Sequence, residues 1–201
     1  RHRITLDPEE TVSINVVSGV AETRTSCMEL VDKYQDPRFA DRTFDLAWTH
    51  SQVLLRQINA TEGDAQLYGR LAGSVIYANP SLRANPNLLL QNRRNQSGLW
   101  GYAISGDLPI VLLRIADPTH IDLVRQLVQA HAYWRLKGLA VDLVIWNEDQ
   151  AGYRQPLQDQ IMGLIAAGVE ADVTDRPGGI LVRLAEHISP EDRILLQTVA
   201  R

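Results

Sequence analysis

The clearest hydrophobic pattern in the chain lies in its second half, where two apolar runs alternate with helical periodicities. Residues 109–115 and 140–146 are almost continuously apolar, a pattern typical of strands that are covered on both faces. A helical stripe of apolar residues follows each run, and Gly138 and Gly168 stand where the two helices would end. The order strand, helix, strand, helix predicts at least two parallel strands joined by right-handed crossovers.

The sequence after the second helix predicts a hairpin and a final helix. Residues 169–174 and 180–184 have strand composition, and the turn between them contains Pro177 and two glycines. Ser189 followed by Pro190 is a helix start signal. The fold class predicted for this half is therefore α/β, a small and partly parallel Rossmann-like sheet unit.

The beginning of the chain predicts a β-hairpin with arms at residues 3–6 and 11–17. The second arm alternates apolar and polar side chains, which places Val12, Ile14 and Val16 on one face. Because an isolated hairpin is marginal in water, we expect these strands to complete a larger sheet. The missing partners lie either outside the chain or in the sheet of the second half.

Helical sequence dominates the region between the hairpin and the α/β unit. One predicted helix carries a clear apolar stripe at three- and four-residue steps, formed by Phe44, Ala47, Trp48, Ser51, Leu55 and Ile58. A polar stretch rich in Asn and Arg at residues 91–98 is the most plausible internal boundary. The predicted organisation is an N-terminal hairpin over residues 1–22, a helical region over 23–96 and an α/β domain over 97–201.

Composition and charge narrow the class of protein. The chain is 45% hydrophobic and 22% charged, which is ordinary for a globular protein, and its net charge of −4 disfavours a general nucleic-acid binder. Cys27 is the single cysteine, so an internal disulfide is excluded and a reducing compartment is expected. No apolar run approaches the roughly 18 residues of a membrane span. The chain opens in strand-like sequence and ends in a predicted helix, which indicates a segment of a longer polypeptide.

The usual catalytic and cofactor motifs are missing from the sequence. The turn after the first strand of the α/β unit lacks glycine and carries Asp117, unlike a dinucleotide-binding turn. The histidines show no metal-ligand spacing, and we expect His131 to be a buried histidine with a local partner. Ser105 precedes a strand, whereas a nucleophilic serine elbow follows one. The sequence therefore predicts no catalytic residue, no metal and no cofactor.

One candidate ligand site lies where the second strand ends. Ligands of open α/β sheets favour the carboxyl ends of the parallel strands, and here Trp146, Asn147 and Glu148 occupy that place. An aromatic face beside an amide and carboxylates suits the hydroxyl groups of a sugar. The structural alternative is a solvated acidic loop with Trp146 in the core.

A second candidate ligand site is the glycine-punctuated loop before the first strand. Its aromatic and acidic side chains are Trp100, Tyr102 and Asp107. Such a loop can form a carbohydrate platform, or it can plug the joint between the helical layer and the α/β layer.

Three stretches of the sequence resemble cyclic β-1,2-glucan synthases, very large proteins of the bacterial inner membrane. They are residues 44–53 (FDLAWTHSQV), 97–111 (SGLWGYAISGDLPIV) and 127–145 (LVQAHAYWRLKGLAVDLVI). In that family a membrane-embedded glycosyltransferase extends a glucan from UDP-glucose, and a region similar to family-94 glycoside phosphorylases adjusts chain length. The phosphorylase region uses an aspartate general acid in an (α/α)6 barrel. This chain has neither that barrel nor its aspartate motif, so the resemblance transfers no catalytic residue.

The resemblance implies an accessory segment beside β-sandwich modules, on the cytoplasmic side of an inner-membrane parent protein. Residues 1–22 would then be the terminal strands of a sandwich-like sheet, and the expected partners are flanking modules of the same polypeptide and β-1,2-glucan. Three hypotheses follow. The first is a non-catalytic scaffold that positions phosphorylase-like modules, the second is a carbohydrate-binding module, and the third is a free-standing enzyme with its own site in the α/β unit.

Overall fold

The computed structural model describes residues 3–14, 16–149, 155–169 and 171–201, and within them the chain is an α/β protein. The described strands are β1 (Ile110–Ile115), β2 (Asp142–Asn147) and β3 (Ile180–Leu184). The described α-helices are α1 (Arg24–Tyr34), α2 (Pro37–Gln57), α3 (Glu62–Ile76), α4 (Pro86–Leu89), α5 (Ser97–Trp100), α6 (Ile121–Leu136), α7 (Pro156–Ala166) and α8 (Pro190–Val199). The fold class predicted from the sequence is confirmed.

The chain divides into two compact units, Arg1–Gln52 and Val53–Arg201. The second unit contains the sheet and the helices from α3 onward. The division into segments 1–22, 23–96 and 97–201 stays a prediction.

The sheet of the second unit has the order β1-β2-β3, and both strand pairs are parallel. Helix α6 connects β1 to β2, as the alternating pattern predicted, and helix α7 connects β2 to β3. All six residues of β2 are buried, because helices cover both faces of the central strand. On one face α6 and α7 pack against Leu143 and Ile145. On the other face α8 and the chain around α5 pack against Val144 and Trp146.

The predicted C-terminal hairpin is wrong, because the last strand is a third parallel strand. Among the described residues of segment 169–174, Ala171–Val173 is a short 3₁₀ turn, and a single parallel bridge joins Thr174 to Ile180; Glu170 lies outside the described residues. Strand β3 pairs with β2 instead, where its side chains Ile180 and Leu181 become fully buried. The free energy gained by burying these side chains against β2 outweighs the turn residues that favour a hairpin.

Helix α3 adds a further layer on α6. Tyr68 and Trp134 are almost fully buried between the two helices, and the indole Nε1 of Trp134 donates to the carbonyl of Tyr68 at 2.8 Å. His131 is 1% exposed, and its Nε2 lies 2.9 Å from the carbonyl oxygen of Val141. The prediction of a buried histidine with a local partner is confirmed.

The predicted N-terminal hairpin does not form in the described residues of the first unit. Its turn is present, since the N–H of Glu10 donates to the carbonyl of Asp7 at 3.0 Å and Glu9 has a φ of 68°. Residues 3–6, 11–14 and 16–17 contain no strand, and Val16 is 84% exposed. Two arms without a third strand or a covering helix bury too little apolar surface to stabilise their pairing.

The apolar stripe of α2 is only partly covered. Leu55, near the end of α2, and Ile58, the residue just after the helix, are buried within the second unit. Phe44 and Trp48 continue the same stripe within the first unit and are 74% and 67% exposed. The sequence predicted the stripe correctly, but it did not show that Phe44 and Trp48 would be exposed among the described residues.

Candidate functional site

Two of the candidate residues, Asp107 and Asn147, lie at opposite ends of the strands. Asp107 stands three residues before β1, whereas Asn147 is the last residue of β2 and is aligned with Ile115 at the end of β1. A six-residue strand spans roughly 17 Å at about 3.3 Å per residue. The six predicted residues therefore do not form one site.

A cavity of about 360 Å³ lies at the carboxyl ends of the three strands. All three strands contribute to it, because their ends carry the residues that line it, and Arg193 of α8 forms one wall. Its carboxylate and amide groups come from Asn147, Glu148, Asp149 and Glu186. The position agrees with the expected ligand position in an open α/β sheet.

Trp146 does not provide an aromatic surface at this edge. Its side chain is 1% exposed and belongs to the core between the sheet and α8. The guanidinium groups of Arg114 and Arg193 lie 5.6 and 5.8 Å from the centre of its ring system. Because the ring is buried, it has no exposed face on which a sugar could stack, and the structure agrees with the alternative of a core tryptophan.

Asn147 and Glu148 are held by contacts within the fold. The buried amide of Asn147 donates to Oε1 of Gln158 at 3.1 Å and accepts the N–H of Asp149 at 2.9 Å. Glu148 accepts hydrogen bonds at 2.8 Å from both Nε and Nη2 of Arg114. These bonds orient the strand ends. The remaining lone pairs of these two side chains can accept hydrogen bonds from the hydroxyl groups of a sugar. No apolar face for stacking of the sugar ring accompanies them in the described part of this site.

Trp100 is the exposed aromatic residue of the second candidate group. Its ring is 64% exposed, and its Nε1 donates to the carbonyl of Ser105 at 3.3 Å. The amide of Gln96 donates to the same carbonyl at 2.8 Å and to Oδ1 of Asp107 at 3.0 Å. An indole whose edge is anchored beside an amide and a carboxylate is a geometry that suits a sugar ring.

Gly106 allows Gln96 to pack closely against the loop that carries Trp100. Gly106 has a φ of 78°, and a Cβ there would lie 2.9 Å from Cγ of Gln96. Leu99 and Ile104 from the same loop are buried in the core under the sheet. The loop therefore serves as a plug on this face of the sheet, while Trp100 remains accessible.

Tyr102 fastens the loop and does not face solvent as a binding group. Its hydroxyl donates to Oδ2 of Asp192 at 3.0 Å and accepts the N–H of Ser189 at 3.3 Å. Its carbonyl accepts from Nε of Arg183 at 2.9 Å. With both polar ends engaged, Tyr102 connects the loop to the start of α8 and to β3.

Sequence reasoning missed the residues that hold both candidate groups in place. Gln96 and Arg193 carried no motif that distinguishes them from other polar residues. Arg114 did carry a signal, because it is the one charged residue in the apolar run at 109–115. A charged residue in a buried strand indicates a partner, and here the partner is Glu148.

Asp142 is a buried carboxylate at the amino end of β2. Oδ1 accepts the N–H of Gly178 at 2.7 Å, and Oδ2 has no hydrogen-bond partner in the described part of the chain. Burial raises the pKa of Asp142, while the bond from Gly178 and the charge of His131 oppose that rise. The carboxyl group stabilises the turn before β3 and is not exposed to a ligand.

The described ranges contain neither a candidate metal site nor a candidate membrane-spanning helix. No group of three or more His, Cys, Asp or Glu side chains there could hold a metal ion. Within the same ranges, no helix is both long enough and apolar enough to cross a membrane. Cys27 is half-buried and lines an apolar cavity of about 370 Å³ in the first unit.

The fold and these sites define a small α/β module with a parallel sheet and two polar surface regions. No protein-family model matches the sequence. The chain is 34% identical over 147 residues to the cyclic β-(1,2)-glucan synthase NdvB of Rhizobium meliloti (strain 1021). This match covers 73% of the chain and 5% of the length of that relative. The resemblance predicted from the sequence is confirmed: the chain is similar to a short segment of a cyclic β-(1,2)-glucan synthase.

Proposed function

We propose that the chain is a non-catalytic accessory segment of a cyclic β-1,2-glucan synthase, where it positions phosphorylase-like modules. The observation that carries this proposal is the 34% identity over 147 residues to such a synthase. The expected partners are flanking modules of the same polypeptide. The expected location is the cytoplasmic side of the inner membrane.

The contacts of the candidate residues support a structural role. Asn147, Glu148 and Tyr102 are engaged in hydrogen bonds that join strands, loop and helix. A catalytic group would need a polar atom directed at a substrate, whereas these atoms are directed at their neighbours in the fold.

The exposed apolar side chains of the first unit support the role of a connector. Val16, Phe44 and Trp48 are each more than 60% exposed. Such side chains are stabilised when a neighbouring module covers them. We therefore expect the first unit to be the part of the chain that attaches to a flanking module.

A carbohydrate-binding module is the second candidate function, and Trp100 is the observation that favours it. The exposed indole lies beside Gln96 and Asp107, and these two side chains help to line a cavity of about 440 Å³. Linear β-1,2-glucan would stack on the indole and donate its hydroxyl groups to Asp107.

Titration with linear β-1,2-glucan, followed by tryptophan fluorescence, separates the two candidates. Trp134 and Trp146 are buried, so a change on binding reports on Trp100 or Trp48. The scaffold role predicts no saturable change up to millimolar glucan. A saturable change that Trp100→Ala abolishes, and that the matched exposed-site control Trp48→Ala retains, would establish the carbohydrate-binding module instead.

A phosphorolysis assay tests the third hypothesis, a free-standing enzyme. We expect the chain, at high concentration with linear β-1,2-glucan and phosphate, to release no glucose 1-phosphate above the rate without protein. Release that scales with protein concentration would overturn the non-catalytic assignment.

A further inference from the structure

The outer edge of β1 presents unpaired backbone groups. The N–H of Asp142 donates to the carbonyl of Pro109, and the N–H of Glu148 donates to the carbonyl of Ile115. Because successive peptide groups of a strand point in opposite directions, these bonds at both ends of β1 direct its odd-numbered residues toward β2. The backbone groups of Ile110, Leu112 and Arg114 therefore point away from the sheet.

The opposite edge of the sheet is protected, which makes the edge at β1 unusual. On β3 the carbonyl of Ile180 accepts the N–H of Asp175 at 3.0 Å, and the carbonyl of Val182 accepts Nη1 of Arg183 at 2.8 Å. Neither Leu112 nor Arg114 has a comparable backbone partner on its outer side within the described residues. An apolar edge strand with free N–H and C=O groups is a template for another strand.

The end of the chain already makes the first hydrogen bond along this edge. After α8 the backbone becomes extended at Ala200, with φ −58° and ψ 144°, and the N–H of Arg201 donates to the carbonyl of Ile110 at 2.9 Å. Ile110 stands at the beginning of β1. An extended chain that continues from Arg201 can follow β1 only in the parallel direction, because the other direction leads past its first residue.

We propose that the outer edge of β1 binds a fourth parallel strand, supplied by the polypeptide that follows Arg201 in a longer protein. Its register is fixed by the bond already present. The carbonyl of Arg201 accepts the N–H of Leu112, and the second residue after Arg201 donates to the carbonyl of Leu112. The fourth residue after Arg201 donates in the same way to the carbonyl of Arg114.

The surroundings of the edge have room for this strand. A cavity of about 440 Å³ has Ile110, Val199 and Arg201 among its lining residues, so open space adjoins the start of the edge. Val111, Leu112 and Leu113 are only half-buried, whereas β2 is buried throughout. A fourth strand would cover these side chains and make β1 an interior strand.

Amide hydrogen exchange at Leu112 and Arg114 tests the fourth strand. The chain is compared with a version extended after Arg201 by six alternating Val and Thr residues. Two matched versions carry one proline, at the second or at the third added position. The N–H of the second added residue points to β1, whereas the N–H of the third added residue points away from β1. Only the proline at the second position therefore removes a hydrogen bond between the added strand and β1.

We expect exchange at Leu112 and Arg114 to slow about tenfold or more in the extended chain and in the version with proline at the third position. The version with proline at the second position should exchange as fast as the unextended chain. Equal exchange in all versions, or equal slowing by both prolines, overturns the proposal. Slowing that rises with protein concentration also overturns it, because a second copy would then be the occupant.

Discussion

The hydroxyl of Tyr102 donates to Oδ2 of Asp192 at 3.0 Å and thereby joins the aromatic loop to the first turn of α8. The same carboxylate oxygen accepts the hydroxyl of Ser189, the N-cap residue of α8, at 2.8 Å. One half-buried carboxylate oxygen thus orients both the helix start and the loop. The phenol has a structural task, although its position in a loop with Trp100 suggested a ligand platform.

Replacing Tyr102 with phenylalanine tests this fastening. Tyr102→Phe removes one donor to a carboxylate and leaves the N–H of Ser189 without its acceptor, so the free energy of unfolding should fall by about 1.5–3 kcal/mol. Denaturant unfolding measures the change. Tyr77→Phe is the matched control, since Tyr77 is 84% exposed, and its effect should stay within about 0.5 kcal/mol. Equal effects of the two changes would contradict the role of the phenol.

Replacing Gly179 with alanine tests the tight turn that precedes β3. A Cβ at this position would lie 1.8 Å from the carbonyl oxygen of Val173, and a backbone atom cannot yield without moving the turn. Gly179→Ala should destabilise the chain by about 3 kcal/mol or more. Gly163→Ala, on helix α7 with no atom within 4 Å, should instead stabilise it by about 0.5–1 kcal/mol. Thermal or denaturant unfolding of both variants decides; a neutral Gly179→Ala contradicts the described turn.

The pH dependence of stability tests the buried carboxyl of Asp142. Its pKa is raised by burial, so the folded chain holds this proton at pH values where the unfolded chain, with a pKa of about 3.9, has released it. The contribution of Asp142 to stability is therefore present at low pH. It decreases as the pH rises from about 4 through the raised pKa.

Asp142→Asn should remove that decrease, because the amide does not titrate and can still accept the N–H of Gly178 through its oxygen. Unfolding measured from pH 4 to 8 should show a gain over the original chain that grows with pH. Asp117→Asn is the control: the backbone N–H of Thr119 lowers the pKa of Asp117, so its contribution is lost only below about pH 4, and the effect of this change should stay nearly constant from pH 4 to 8. A gain for Asp142→Asn that is equal at all pH values contradicts the buried charge.

The central part of the fold could be predicted from sequence because it depends on local patterns. The apolar runs at 109–115 and 140–146, each followed by a helical stripe, encode strands that need cover on two faces. The pairing of the third strand could not be predicted in the same way. It depends on the burial of Ile180 and Leu181 between α7, α8 and β2, which are distant along the chain, whereas the turn residues suggested a hairpin.

The candidate sites show the same division. The order of residues along the chain is enough to predict which polar residues lie at the ends of the parallel strands. Two of them, Asn147 and Glu148, line the cavity there. Whether an aromatic ring faces outward depends on the elements that pack against it. Trp146 is buried by α8, and Trp100 remains exposed although its loop neighbours Leu99 and Ile104 enter the core.

The proposed non-catalytic role is tested most directly by measuring glucan synthesis in a complete cyclic β-1,2-glucan synthase that contains this segment. Trp100→Ala, Asp107→Asn and Glu148→Gln are introduced singly, and cyclic β-1,2-glucan formed per folded molecule is measured beside the unaltered protein. The proposed non-catalytic role predicts rates within about twofold of the unaltered protein for each change. A loss of about tenfold or more, equivalent to about 1.4 kcal/mol in the activation barrier, with an unchanged amount of folded protein would contradict it.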